Sequence, residues 1–479
     1  MTSLADPLAD LGRVHVIGVG GAGMSALTRL LSARGVPVTG SELRELRVLT
    51  QLRALGAEIH LGQSPTSLPA ADTVVVSTAI RDTNPELVVA RERGLRVLHR
   101  AEALAAAMRG YRGVVVAGTH GKTTTTSMLA VALQHCGEDP SFYIGAQLNE
   151  TGTNAHAGSG IVFVAESDES DGSFLVLDPD VAVVTNVEAD HLDHYGTADK
   201  VDEAFLAFVD RVEPDGVVVA CADDPGAARV AEFARREDRR VVTYGEHRSA
   251  DLRIESPQVS HAGTTFEAIL GGRRLGTVSL RVVGHHNALN AAAVIAVSDV
   301  LGFHTHDVID GLALYTGARR RFEFKGEAGG VKVYDDYAHH HTELRATLTA
   351  ARQLVGDRRL VVAFQPLRYS RTAIFHRELG QALGLADDVV VLEVYGSNEE
   401  PIPGASGSLV AAAVPLDAEH VHFEPSFSAV PEWLASRARP GDMVLTLGDG
   451  IVSTLGPEVV DLLHAHAARA GDGGQHAQT

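Results

Sequence analysis

Short β-branched runs recur along the chain, each closed by glycines or polar residues and followed by a helical pattern. Val14-His15-Val16-Ile17 is the first, and helical spacing runs from the glycines after it to Arg34. Further strands are expected over 36–40, near 73–76 and over 96–98. Val114-Val115-Val116-Ala117 then leads into a glycine turn and a helix-prone segment over 125–134. Runs at 161–165 and 181–185 end in acidic clusters, and runs at 331–334, 360–364, 388–392 and 443–447 alternate with helices. Unbroken apolar runs suit strands covered on both faces, and their alternation with helices predicts mainly parallel sheets.

The expected fold class is therefore α/β with three domains, which the length of 479 residues also suggests. These are a Rossmann-like N-terminal domain over 1–112, a central P-loop-type ATPase domain over 113–322 and a C-terminal Rossmann-like domain over 323–479.

Two of the turns are built for phosphate. After the strand at 114–117 come Gly118, Thr119, His120, Gly121, Lys122, Thr123 and Thr124. Glycines let backbone N–H groups turn toward an anion, and a helix N-terminus adds partial positive charge. Lys122 can reach β/γ-phosphates and the Thr123 hydroxyl can sit on Mg²⁺. The spacing is the shorter G-x-x-G-K-T form, since Val116 stands where the longer loop has glycine. The other turn, Gly18, Gly20, Gly21 and Gly23, satisfies G-x-G-x-x-G with Glu42 near the ribose-carboxylate distance. Taken alone it points to a dehydrogenase, and the downstream loop counts against that.

Carboxyl ends of parallel strands gather at one sheet edge. The clusters 166–172 and 186–194 should therefore face the phosphate loop, although an acidic run is most often a solvated loop. A zinc reading of Asp190, His191 and His194 is weaker, because cysteine ligands are lacking and the loop supplies a reason for a hard cation. The formal charge of −20, with no large basic stretch, argues against nucleic-acid or membrane-surface partners. Cys136 and Cys221 are expected to be reduced thiols in a cytoplasmic protein. The N-terminus does not read as a signal peptide, no apolar run approaches a membrane span, and the tail from about His466 is expected to fray.

The run G-T-H-G-K-T-T-T at 118–125 resembles the ATP loop of the Mur ligases, cytoplasmic enzymes that build the peptidoglycan stem peptide. The likeness continues in order over nearly the whole chain. It includes G-x-G-G-x-G-M-S at 18–25, G-x-H-N-x-L-N-A at 284–291, D-D-Y-x-H-H-x-T-E at 335–343 and F-Q-P-x-R-Y-x-R-T at 364–372. The last two resemble the L-alanine-adding branch. The resemblance implies ATP and Mg²⁺ as cofactors, with UDP-N-acetylmuramate and L-alanine as substrates.

By the same resemblance, Gly18, Gly20, Gly21, Gly23, Met24, Ser25, Glu42 and Ser77 serve the UDP-sugar. The loop 118–124 holds ATP phosphates together with Arg320, or alternatively Arg321, and Asn287 meets adenine unless it only caps its helix. Thr123, Glu166 and His191 bind magnesium, while Asp193 and His194 either support those ligands or cap a helix. Tyr337, Arg368 and Arg371 approach the amino acid. Lys122, Glu166 and His191 carry the catalysis, with His339 assisting deprotonation of the amine. Leu367 stands for a usual histidine, His341 for a usual proline and Ile451 for a usual aspartate. A sibling ligase with another amino acid or peptide, or a non-catalytic nucleotide-binding relative, therefore stays open.

Overall fold

The computed structural model describes residues 8–397 and 399–475. Residues 1–7, which include the segment read above as no signal peptide, lie outside the described residues, as do Asn398 and 476–479. The chain divides into two compact units. One comprises the residues up to Ser256 with Phe266–Leu280 and Ala288–Thr316. The other comprises Pro257–Thr265, Arg281–Asn287 and the residues from Gly317 onward.

The first unit opens with β1 (Val14–Ile17), α1 (Ala22–Ala33), β2 (Val38–Glu42), α2 (Arg47–Ala54) and β3 (Glu58–Leu61). It continues through β4 (Thr73–Val76), α3 (Pro85–Glu92), β5 (Arg96–His99) and α4 (Arg100–Met108). The strands form a parallel sheet in the order β3-β2-β1-β4-β5. Its order reverses between β2 and β4, on either side of β1, so the loop after β1 opens at a switch point where ligands bind.

A larger sheet follows. Its elements are β6 (Arg112–Ala117), α5 (Lys122–His135), β7 (Ser141–Tyr143), β8 (Ala155–His156), β9 (Val162–Glu166), β10 (Val181–Val184), α6 (Leu192–Tyr195) and α7 (Ala198–Asp210). After these come β11 (Val217–Cys221), α8 (Pro225–Arg236), β12 (Arg240–Gly245), β13 (Leu252–Ser260), β14 (Gly263–Leu270), β15 (Arg273–Leu280), α9 (His285–Leu301) and α10 (Thr305–Leu312). The order is β15-β14-β13-β12-β11-β10-β6-β9-β7-β8. β6 lies between β10 and β9, parallel to both, and Val114 to Ala117 are fully buried.

The second unit carries β16 (Glu323–Ala328), β17 (Val331–Asp336), α11 (His341–Val355), β18 (Leu360–Phe364), α12 (Tyr369–Leu383) and β19 (Asp388–Leu392). It ends with α13 (Gly407–Ala412), β20 (Val421–Glu424), α14 (Val430–Arg437), β21 (Met443–Leu447) and α15 (Leu455–Gln475). Strand order is β16-β17-β21-β18-β19-β20, with only β16 antiparallel to its neighbour. The period of two is visible in the core. Leu360, Val362 and Phe364 pack on α11 and α12, whereas Val361 and Ala363 face α14 and α15.

Of the tail expected to fray from His466, the residues to Gln475 are helical, consistent with the alanines at 465, 467 and 468, and 476–479 lie outside the described residues. Among the described residues, no helix is long and apolar enough to cross a membrane.

Candidate active site

At the first sheet, the N–H groups of Gly18 and Val19 both donate to Ser41 O, at 2.9 and 3.0 Å. Gly20 N donates to Glu42 Oε2 at 2.9 Å, and Leu43 N donates to Oε1 of the same side chain at 2.8 Å. Glu42 therefore braces the glycine loop. Met24 and Ser25 are buried in the first turn of α1, where Ser25 Oγ donates to Ala22 O at 2.9 Å. Ser77 is half-buried just after β4, and its carbonyl accepts from Ile80 N at 3.0 Å. A Cβ on Gly23 would lie 2.3 Å from Arg100 Nη1, so that guanidinium packs directly on the loop. Arg100 Nη1 also donates to Tyr143 Oη at 3.0 Å, and Nη2 lies 3.4 Å from Asp168 Oδ2.

The phosphate loop is pinned from the adjacent strand. Thr119 N donates to Asn186 O at 3.0 Å and His120 N to Asn186 Oδ1 at 2.7 Å. Thr185 Oγ1 donates to His120 O at 2.6 Å, and Glu188 N donates to Thr119 Oγ1 at 2.9 Å. Gly121, at φ 81°, turns the chain into α5, with a half-buried Thr124 in its first turn. Both acidic clusters do reach this edge. Thr123 Oγ1 donates to Glu166 Oε1 at 2.7 Å, and Gly145 N donates to Glu166 Oε2 at 2.6 Å.

Lys122 Nζ folds back onto its own loop, donating to Gly118 O at 2.6 Å, Thr119 O at 3.1 Å and Glu169 Oε1 at 2.9 Å. Burial works against the ammonium, but Glu169, Asp168 and Glu166 outweigh it and raise the Lys122 pKa. Burial pushes the Glu169 carboxyl up to about 7, against the pull of Lys122. His191 Nε2 lies 3.7 Å from both Glu169 Oε1 and Asp190 Oδ2. His194 is exposed and packs edge-on against Tyr195, and the Asp193 side chain lies outside the described residues.

In the second unit the strand ends gather another set. Arg320 Nε lies 3.3 Å from Asp335 Oδ2, its Nη2 donates to Gly448 O at 2.5 Å and its Nη1 lies 3.8 Å from Asp449 Oδ1. Both Arg320 and Arg321 lie over the Tyr337 ring, at 5.0 and 5.1 Å. Burial, reinforced by Asp449, raises the Tyr337 pKa. His339 Nδ1 is 3.1 Å from Tyr337 O, and Glu343 Oε2 is 3.7 Å away. Arg368 N donates to Tyr395 O at 2.8 Å, Arg371 is buried at the start of α12, and Leu367 is buried and bridges Tyr395. Asn287 Nδ2 donates to Val283 O at 2.7 Å at the start of α9.

His191, Arg320 and Arg368 all hold positive φ, at 53°, 61° and 61°. Such strain is of order 1–3 kcal/mol for a non-glycine residue, and Asp238, Ser256, Phe322 and Ser397 carry it as well.

The structure thus groups the loop 118–124 with Glu166 and His191 in one unit. It groups Arg320, Tyr337 and His339 in the other, where Arg368 and Arg371 stand at the start of α12. Sequence reasoning missed Glu169, Asn290 and Arg100. Glu169 was marked only by its place three residues past Glu166. Asn290, whose Oδ1 accepts from Thr125 Oγ1 at 3.2 Å beside Gly121, was marked by its place one turn past Asn287. Arg100 carried no sequence signal.

Three family profiles cover the chain in order. They are "Mur ligase family, catalytic domain" at 13–112, "Mur ligase middle domain" at 116–298 and "Mur ligase, glutamate ligase domain" at 320–450. A UDP-N-acetylmuramate–L-alanine ligase of Acidothermus cellulolyticus is 57% identical, covering 95% of this chain and 96% of its own. The chain belongs to the Mur ligase family. A second relative of the same name, from Saccharopolyspora erythraea, is 56% identical over 96% of this chain and 94% of its own. Among solved Mur ligases, the UDP-N-acetylmuramate–alanine ligase of Thermotoga maritima matches with TM-score 0.79 at 29% identity, covering 95% of this chain and 99% of its own. A murein peptide ligase from Psychrobacter arcticus matches with TM-score 0.69 at 25% identity, with the same coverage. The three-domain α/β architecture read from the strand pattern is thus that of a Mur ligase.

Proposed function

We propose that this Mur ligase joins L-alanine to the lactyl carboxylate of UDP-N-acetylmuramate with ATP, as a cytoplasmic step of peptidoglycan precursor synthesis. The Lys122–Glu169–His191 cluster and the Thr123–Glu166 pair carry this reading, together with 56–57% identity to L-alanine ligases over 95–96% of the chain. A carboxylate does not acylate an amine at neutral pH, because its leaving group is too poor. Attack of the lactyl carboxylate on the γ-phosphorus releases ADP and leaves an acyl phosphate. The alanine amine then attacks that carbonyl, and phosphate leaves from the tetrahedral intermediate.

Phosphoryl transfer is chiefly positioning and charge stabilisation. Lys122 and the backbone of 118–124 are the groups we assign to the phosphates. Gly18 to Gly23 and Glu42 are assigned to the UDP-sugar, Asn287 and Arg320 to ATP, and Tyr337, Arg368 and Arg371 to the amino acid. His339 is assigned to deprotonation of the amine. The domain bounds 1–112, 113–322 and 323–479 follow this division of substrates.

Thr123, Glu166 and His191 fit a divalent ion: a hydroxyl and a carboxylate already in contact, and a histidine held by carboxylates. Bound Mg²⁺ would supply charge neutralisation of the phosphates. The test is product analysis with ATP, Mg²⁺, UDP-N-acetylmuramate and a panel of amino acids and stem peptides. UDP-N-acetylmuramoyl-L-alanine with one phosphate released per product is expected. Product only with a peptide, or phosphate release independent of the amino acid, would sink the reading.

A further inference from the structure

Glu169 is the group in the phosphate site that the mechanism above leaves without a task. Its side chain is 3% exposed, and its backbone carbonyl is fixed by the Tyr195 hydroxyl, which donates at 2.5 Å. One carboxylate oxygen, Oε1, faces Lys122 Nζ at 2.9 Å and His191 Nε2 at 3.7 Å. The other, Oε2, is buried with no hydrogen-bond partner. A buried carboxylate is tolerated only when a cation or several donors compensate it. Here Lys122 is that cation.

The same lysine is the group that phosphate requires. When Nζ turns from Gly118 O, Thr119 O and Glu169 toward a nucleotide, the backbone oxygens can stay as they are. Glu169 cannot: beside Asp168 it must either meet another cation or take up a proton. His191, 3.7 Å from Glu169 Oε1, is one of the residues assigned above to a divalent ion, and Thr123, another, follows Lys122 directly on α5.

We infer that Glu169 holds Lys122 while the site is empty and becomes an additional carboxylate ligand of the divalent ion once the lysine has moved to the phosphates. The lysine and the ion thus exchange places on one carboxylate. This makes metal-free nucleotide binding and metal-assisted binding respond to Glu169 in opposite directions. The inference rests on the assignment of ATP to the loop 118–124.

The test is calorimetric titration of adenylyl imidodiphosphate into the wild type, Glu169→Gln and Glu169→Asp, with and without Mg²⁺. Mn²⁺ affinity is followed in parallel by electron paramagnetic resonance. In Glu169→Gln, metal-free nucleotide should bind at least as tightly as in the wild type. The tightening on adding Mg²⁺ should shrink tenfold or more, and Mn²⁺ should bind more weakly. Glu169→Asp, which keeps the charge, should give an intermediate Mn²⁺ affinity. An undiminished Mg²⁺ effect in Glu169→Gln would overturn the inference, as would identical behaviour of the two variants. So would uptake of a proton by the wild type on binding Mg²⁺–nucleotide, read from buffers of different ionisation enthalpy. L-Alanine ligation, measured on the same wild-type preparation, separates the outcomes: its absence strikes the proposed function and leaves the metal result standing.

Discussion

Gly121 and Asn290 make a pair whose energetics can be worked from the coordinates. Gly121 holds φ 81°, and a Cβ there would lie 2.6 Å from Asn290 Oδ1. The left-handed backbone costs an L-residue about 1–2 kcal/mol. Asn290 must also move, which breaks its 3.2 Å bond from the buried Thr125 hydroxyl. Leaving that hydroxyl unpaired costs about 1–3 kcal/mol. Gly121→Ala should therefore weaken the loop–helix junction by roughly 2–5 kcal/mol.

Asn290→Ala alone forfeits the hydroxyl bond, about 1–3 kcal/mol. In the double variant that bond is lost only once, so the two effects should fall short of additivity by about 1–3 kcal/mol. Hydrogen exchange of the α5 amides is the suitable assay, because it reads local opening in a chain too large for a two-state melt. Additivity within about 0.5 kcal/mol would refute the claim that the two residues compete for one space.

Lys122→Ala should keep its circular dichroism and lose about 10²–10³ in kcat or more, the usual consequence of removing one preorganised stabilising group; unaltered ATP-dependent ligation would show that the lysine does not meet the phosphates. Burial lifts the Asp336 carboxyl to about 6, against the pull of Arg321 and the Ala338 and Phe322 amides, whereas an unfolded aspartate titrates near ~3.9. The folded state thus binds this proton more tightly, so its contribution to stability is full below about pH 4 and is lost as pH rises through about 6. Asp336→Asn should flatten the fall in stability between those limits, and an unchanged slope in chemical denaturation would remove Asp336 as its source. Leu367→His should restore a polar contact of about 0.5–1.5 kcal/mol beside the amino-acid residues; an unchanged KM for L-alanine, and unchanged preference across an amino-acid panel, would mean that the buried Leu367 does not shape selection.

Much of the fold was legible because buried parallel strands write themselves as uninterrupted β-branched runs. Val14 to Ile17 and Leu360 to Phe364 were read to the residue, and the strands expected near 388–392 and 443–447 are found there. The strands β13, β14 and β15 were not read. Their partly exposed faces break the apolar run, as the exposed and buried alternation of Leu252 to Ser260 illustrates. The loop 118–124 and both acidic clusters were legible because they directly follow strand ends, which in a parallel sheet gather at one edge. Glu169 and Arg100 were not, since their role depends on what they face in three dimensions, Lys122 in one case and Gly23 with Asp168 in the other. A string of carboxylates in sequence does not say which of them is buried.

That distinction also answers how a chain of net charge −20 can receive polyphosphates. The cations beside its glycine loops and strand ends do not stand alone against the surrounding acid. Lys122 is paired with Glu169, Arg100 with Asp168 and Arg320 with Asp335. These pairings hold the cations in place before any ligand arrives, which spares part of the ordering cost of binding. On the proposed reading they also mean that a phosphate oxygen reaching Lys122 or Arg320 competes with a carboxylate already present. Direct competition between two anions for one cation gains little. A net gain requires a second positive charge for the carboxylate that is displaced. On the proposed reading, the divalent ion is that charge, so its requirement follows from the burial of Glu169 as much as from the chemistry of the γ-phosphate.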